Sequence, residues 1–99
     1  MFWHIVRFDF AGLDPTMRAD LEDRLRGLAD IPAVAWLRMS HDVADHHVTG
    51  FLTTFESAED YEIYRDHPEH VLVVTALLEA GVVATRFDIL TDDDVADLP

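Results

Sequence analysis

Ninety-nine residues make one domain and leave no room for a second core. Hydrophobic side chains make up 49 % of them, enough for a packed interior, and the absence of cysteine removes disulfides and thiolate chemistry. Seven basic against twenty acidic side chains give a formal charge of −13, a surface that repels phosphate backbones and anionic lipid, so neither nucleic acid nor membrane is an expected partner.

Residues 1–7 lack the cationic start and apolar run of a signal peptide. No apolar stretch approaches the ~20 residues of a membrane span, so a cytoplasmic protein is expected. Residues 2–10 alternate as a strand, with Phe2, His4, Val6, Phe8 and Phe10 on one face and Trp3, Ile5, Arg7 and Asp9 on the other. Apolar side chains on both faces predict that both are covered. Gly12-Leu13-Asp14-Pro15 is a turn into a helix, with Asp14 placed to cap and Pro15 suited to the first helical position. Met17, Leu21, Leu25 and Leu28 form its apolar stripe, and the helix ends before Pro32.

Residues 33–39 read as a second strand, residues 41–46 as a polar turn and residues 47–56 as a third strand. Ser57 caps a helix that begins with early acids, and His67-Pro68 breaks it because the residue before proline avoids helical geometry. The helix restarts over residues 69–80 with Gly81 as its cap, and residues 82–90 form the last strand. The order is β-α-β-β-α-β, predicting an α+β, ferredoxin-like fold with a four-stranded antiparallel sheet covered by helices on one side. The domain spans residues 1–90, and residues 91–99 read as an acidic C-terminal tail. Trp3, Ile5, Leu52 and Phe87 would then face water on the bare side of the sheet, a patch that a second copy would cover, so a homodimer is expected.

The stretch Tyr64-Arg65-Asp66-His67-Pro68-Glu69-His70 places a phenol and two imidazoles at a helix break, where side chains can turn inward. Histidine exchanges protons near neutral pH, and tyrosine donates to a developing oxyanion. Each of these residues also has a structural reading: Tyr64, His70 and Asp88 as satisfied polar contacts, His67 as a helix cap, His4 as a core histidine. Adjacent His46 and His47 on a strand point to opposite faces and could share one ion only if they lay in the turn, so no metal site is expected.

The chain resembles the stress-responsive dimeric α/β-barrel (Dabb) domain family, which includes the polyketide cyclase olivetolic acid cyclase. The likeness rests on His4-Ile5-Val6, Ile31-Pro32-Ala33-Val34, Phe55-Glu56-Ser57, Tyr64 with His67-Pro68-Glu69-His70, and Phe87-Asp88. It implies a dimeric α/β barrel with a small-molecule pocket and no cofactor. Carried over, it makes His70 a general base, Tyr64 its partner and Asp88 the group that orients His70. His4, Val6, Phe8, Phe51, Thr53, His67 and Arg86 become ligand-contact candidates. The implied chemistry is an intramolecular aldol cyclisation of a ketide; the alternatives are a binding or carrier module and a non-catalytic stress-responsive dimer. Arg86 departs from the family's apolar wall. It would either favour an anionic ligand or pair with Asp88 and close the site.

Overall fold

The computed structural model of the protein describes residues 1–92. Strand β1 (Phe2–Asp9) is followed by helix α1 (Pro15–Gly27), a single 3-10 turn (Leu28–Asp30), strands β2 (Trp36–His41) and β3 (Val48–Phe55), helices α2 (Ala58–Asp66) and α3 (Pro68–Glu79), and strand β4 (Val83–Leu90). The four strands form one antiparallel sheet in the order β2-β3-β1-β4, the predicted ferredoxin-like α+β architecture.

Local chemistry sets the element ends. Asp14 accepts from the Met17 amide at 2.9 Å and Ser57 from the Asp60 amide at 3.2 Å, each satisfying a free donor of the following helix. At the end of α3, Gly81 adopts φ +80, the Gly81 amide donates to Leu78 O and the Val82 amide to Leu77 O, both at 3.1 Å. This 6→1 and 5→2 pairing closes the helix and needs the left-handed conformation that glycine adopts without strain.

Strand β2 departs furthest from the sequence reading, at both ends, while β1, β3, α3 and β4 differ by a single residue at one or both ends. Strand β2 starts at Trp36 rather than residue 33, because residues 31–35 are held in a turn, with Val34 donating to Ile31 O and Ala35 to Thr54 O. The same strand runs on to His41, which pairs with Thr49, so the polar turn begins one residue later than predicted. The acidic tail read at residues 91–99 falls mostly outside the described residues; Thr91 is tied to the N-terminus by reciprocal backbone bonds with Met1 at 2.9 and 3.0 Å.

One sheet face carries the core. His4, Val6 and Phe8 of β1 and Thr49, Phe51, Thr53 and Phe55 of β3 are buried beneath Leu21 and Leu25 of α1, Tyr61 and Tyr64 of α2, and Val73 and Leu77 of α3. Met17, predicted on the apolar stripe, is exposed instead. On the opposite face Trp3, Ile5, Leu52 and Trp36 are half-buried, while Phe87 and Ile89 are open. The expectation that both faces of β1 are covered therefore holds within the chain for one face. Strand β4 is exposed along its whole length, since it pairs with β1 alone at the sheet edge.

Midway along α1, Glu22 is buried and paired. Its carboxylate accepts from Thr49 Oγ1 at 2.9 Å and from His41 Nε2 at 3.1 Å, and Arg18 Nε lies 3.4 Å away. A charge removed from water must be paired, and these partners pin α1 to the β2–β3 hairpin.

Phe55, fully buried, stands between Phe2, Tyr61 and Tyr64, with ring centroids 6.2, 5.5 and 4.9 Å away. Phe55→Ala is expected to lower unfolding free energy by about 3–5 kcal/mol, read from chemical denaturation. A loss under about 1 kcal/mol would contradict this packing.

Candidate functional site

The interruption between α2 and α3 organises the site. Pro68 has no amide proton, and His67 is held extended at φ −65, ψ 135. In an unbroken helix the Arg65 carbonyl would accept from the Glu69 amide. Here the Glu69 amide donates to His67 Nδ1 at 3.1 Å, and the Arg65 carbonyl accepts from His70 Nδ1 at 2.9 Å. A carbonyl only accepts, so the His70 proton sits on Nδ1 and Nε2 presents its lone pair. The break also lets the His70 ring close on Tyr64, centroid to centroid 4.4 Å.

From the sheet side, β1 contributes His4 and β4 contributes Asp88, which are direct neighbours in register. His4 Nδ1 donates to Asp88 Oδ1 at 2.6 Å, again leaving Nε2 unprotonated. Asp88 therefore orients His4 and not His70, which corrects the role the family resemblance gave it. One register step along, Arg86 Nη1 donates to the Tyr61 hydroxyl at 2.9 Å and lies 3.6 Å from Asp88 Oδ2.

These groups surround a cavity of about 410 Å³ between the helices and the sheet. His4, Val6, Phe8, Phe51, Tyr64, His70 and Arg86 line it. Three candidates are placed elsewhere. Thr53 is fully buried beneath the strand and its hydroxyl contacts His4 O at 3.5 Å; His67 spends its ring nitrogen on the α3 cap; Asp88 stands behind His4. The His46 and His47 rings lie tilted against each other in the β2–β3 turn, centroids 4.2 Å apart, and neither lines the cavity.

Tyr61 was not singled out by sequence reasoning, yet it lines the cavity, stacks on Phe2 at 4.5 Å and holds Arg86. Its signal was present: Tyr61 and Tyr64 lie three residues apart on a helix and share its inward face. The apolar floor from Leu25, Leu28, Val73 and Leu77 joins residues of α1, its following turn and α3 that no local pattern connects.

Burial sets the proton balance. It pulls His70 below the ordinary imidazole value of 6.5, with neighbouring His4 and His67 adding to the fall and the Arg65 carbonyl and Asp66 opposing it. His4 is likewise lowered by burial, which outweighs the pull of Asp88 in the other direction. Both imidazoles are neutral at pH 7 and available as bases. The Tyr64 phenol is pushed up strongly by burial and the Tyr61 phenol more mildly, so both stay protonated and can donate.

Residues 2–88 match the family described as the Stress responsive A/B Barrel Domain, Dabb. No curated protein matches the sequence. Among solved structures, At3g17210 from Arabidopsis thaliana superposes with a TM-score of 0.79 at 22 % identity, over 95 % of this chain and 98 % of that one. A dimeric ferredoxin-like protein of unknown function from Thermobifida fusca gives 0.70 at 21 % identity, over 89 % and 90 % of the two chains. The hydroxynitrile lyase of Passiflora edulis gives 0.71 at 15 % identity, over 94 % and 97 %. At these identities the likeness is one of fold.

The depressed imidazoles make a stability prediction. Unfolded histidine titrates at its ordinary value and the folded groups lower, so the unfolded chain binds more protons in the interval between. The stabilisation is complete above 6.5 and falls as pH drops through the folded values. In thermal melts the Tm difference between pH 7.5 and pH 5.5 is expected to shrink in His70→Gln, which removes one titrating ring. Parallel profiles for the variant and the parent chain would contradict burial as the cause.

Proposed function

The chain belongs to the stress-responsive A/B barrel (Dabb) family, and we propose that it is a pocket enzyme that removes a proton beside a carbonyl group without a cofactor. The observation that carries this reading is the meeting of two neutral, oriented imidazoles with a protonated phenol in one apolar cavity. The same fold houses catalysis in the Passiflora edulis hydroxynitrile lyase.

In this reading His70 Nε2 takes a proton from the carbon next to a carbonyl. The C–H electron pair becomes the enolate, whose oxygen accepts the Tyr64 hydroxyl proton as a hydrogen bond. The enolate carbon then attacks a second carbonyl of the same folded molecule, forming a C–C bond and an alkoxide, and the His70 imidazolium returns the proton to that oxygen. The apolar walls hold the chain bent so that the two carbonyls meet. Asp88 is a positioning residue here: it fixes the tautomer of His4 and leaves His4 Nε2 as a second proton acceptor. Ligand capture without chemistry is the competing reading, since the same cavity serves a carrier equally well.

Deuterium exchange of octan-2-one, followed by NMR in D2O, separates the two. The full chain is expected to accelerate exchange at the carbons flanking the carbonyl, with the rate rising as pH climbs through a value below 6.5 and then levelling. His70→Ala should slow exchange by about 10²-fold or more. Binding of the ketone with no accelerated exchange would mean a carrier. Exchange that His70→Ala leaves intact would remove His70 as the base.

We also infer that a second copy covers the bare sheet face. Phe87 at 59 % and Ile89 at 43 % exposure adjoin Trp3, Ile5, Leu52 and Trp36, a continuous apolar surface that a stable monomer rarely presents. The Thermobifida fusca protein of the same fold is described as dimeric. Sedimentation equilibrium at micromolar concentration should give twice the chain mass of 11.3 kDa, and Phe87→Glu should halve it. A parent chain that sediments as a monomer overturns this inference.

A further inference from the structure

We propose that the cavity selects a small carboxylate with an apolar tail, the anion held by the Arg86 guanidinium and the Tyr61 hydroxyl at its mouth. The proposal rests on the reading of this cavity as a ligand site and adds the ligand's charge.

Among the described residues no acidic side chain lines the cavity, whereas two of the seven basic ones do, Arg65 and Arg86. The two arginines are not equivalent. Arg65 is committed to Asp66, with Nε and Nη2 donating to the two carboxylate oxygens at 3.0 and 3.2 Å. Arg86 spends Nη1 alone: it donates to Tyr61 Oη at 2.9 Å and lies 3.6 Å from Asp88 Oδ2. Asp88 in turn gives its other oxygen to His4 at 2.6 Å, so it does not close on Arg86 as a bidentate partner. Among the described residues no protein acceptor engages Arg86 Nε or Nη2, and the side chain is 61 % exposed.

Tyr61 completes the cradle. Its oxygen accepts from Arg86, so its own hydrogen is left for another acceptor, and burial keeps it protonated. A carboxylate at this point meets a guanidinium and a phenolic O–H together, two donors side by side. Behind them the walls turn apolar, through Val6, Phe8 and Phe51 on the sheet and Val73 and Leu77 on α3. The polar head and greasy tail of the ligand thus have separate places, and the head is set beside His4, whose ring lies 5.1 Å from that of Tyr61.

The choice also follows from the whole-molecule field. A net charge of −13 disfavours any anion at long range, so preference for one needs a local cation within contact distance. Arg86 is that cation, and its removal should erase the preference without closing the apolar interior.

Titration calorimetry of the full chain with octanoate and with octanamide tests this, since the two share a tail and differ in charge. Octanoate is expected to bind about tenfold more tightly. Arg86→Gln should bring the two ligands level and leave octanamide unchanged, Tyr61→Phe should weaken octanoate selectively, and Arg24→Gln, on the exposed face of α1, should alter neither. Equal binding of both ligands by the parent chain, or an octanoate preference that survives Arg86→Gln, overturns the proposal. The readout needs no turnover: a chain that prefers octanoate yet fails to exchange octan-2-one protons supports the anion site and refutes only the catalytic reading. If neither ligand binds, the cavity is not a ligand site and both readings fall.

Discussion

A single missing amide proton, that of Pro68, governs the geometry of the site. Without it, and with His67 held extended before the proline ring, α2 and α3 do not run on as one helix, so the Glu69 amide turns to the His67 ring and the carbonyl of Arg65 loses its normal partner four residues ahead. The vacancy is filled by the His70 ring, and the Glu69 amide is filled by the His67 ring. Two imidazoles thus serve as capping groups, and one of them gains a fixed tautomer and an inward aim as a by-product. Helix-breaking and functional preorganisation are the same event here, since the hydrogen bond that satisfies the backbone also orients Nε2.

The sheet supplies the counterpart by a different rule. Across β1 and β4, register alone places His4 beside Asp88 and Val6 beside Arg86. The strand that carries the two charged partners is the exposed edge, whereas His4 sits on a central strand and is buried. Water therefore reaches the arginine and in part the aspartate, but not the imidazole. This gradient explains why His4 is neutral despite a carboxylate at 2.6 Å, and why Arg86 remains available for contact beyond the chain.

Elsewhere a buried carboxylate is paired within the chain. Glu22, the one strongly buried carboxylate among the described residues, is surrounded by Thr49, His41 and Arg18. It serves to lock α1 onto the β2–β3 hairpin, and among the described residues no acidic side chain lines the cavity. The two sheet faces accordingly have separate assignments: one packs and encloses, the other stays apolar and bare within a single chain.

The sequence by itself determined the elements and their order, because alternation, capping residues and proline act over a few positions and do not depend on distant neighbours. Phe2 to Phe10, Asp14-Pro15, Ser57, His67-Pro68 and Gly81 each announced a local structure that the chain adopts. The composition of the cavity wall was legible in part for the same reason: His4, Val6 and Phe8 share a strand face, and Tyr64 and His70 flank the break. Only the tertiary structure decided who pairs with whom. Asp88 could have met either imidazole, and the antiparallel register of β4 on β1 gave it to His4. Arg86 could have opened or closed the pocket, and the placement of Tyr61 on α2 turned its guanidinium toward the phenol. Such pairings join residues up to 84 positions apart, and hydrogen bonds of this range exist only after the strands and helices have packed.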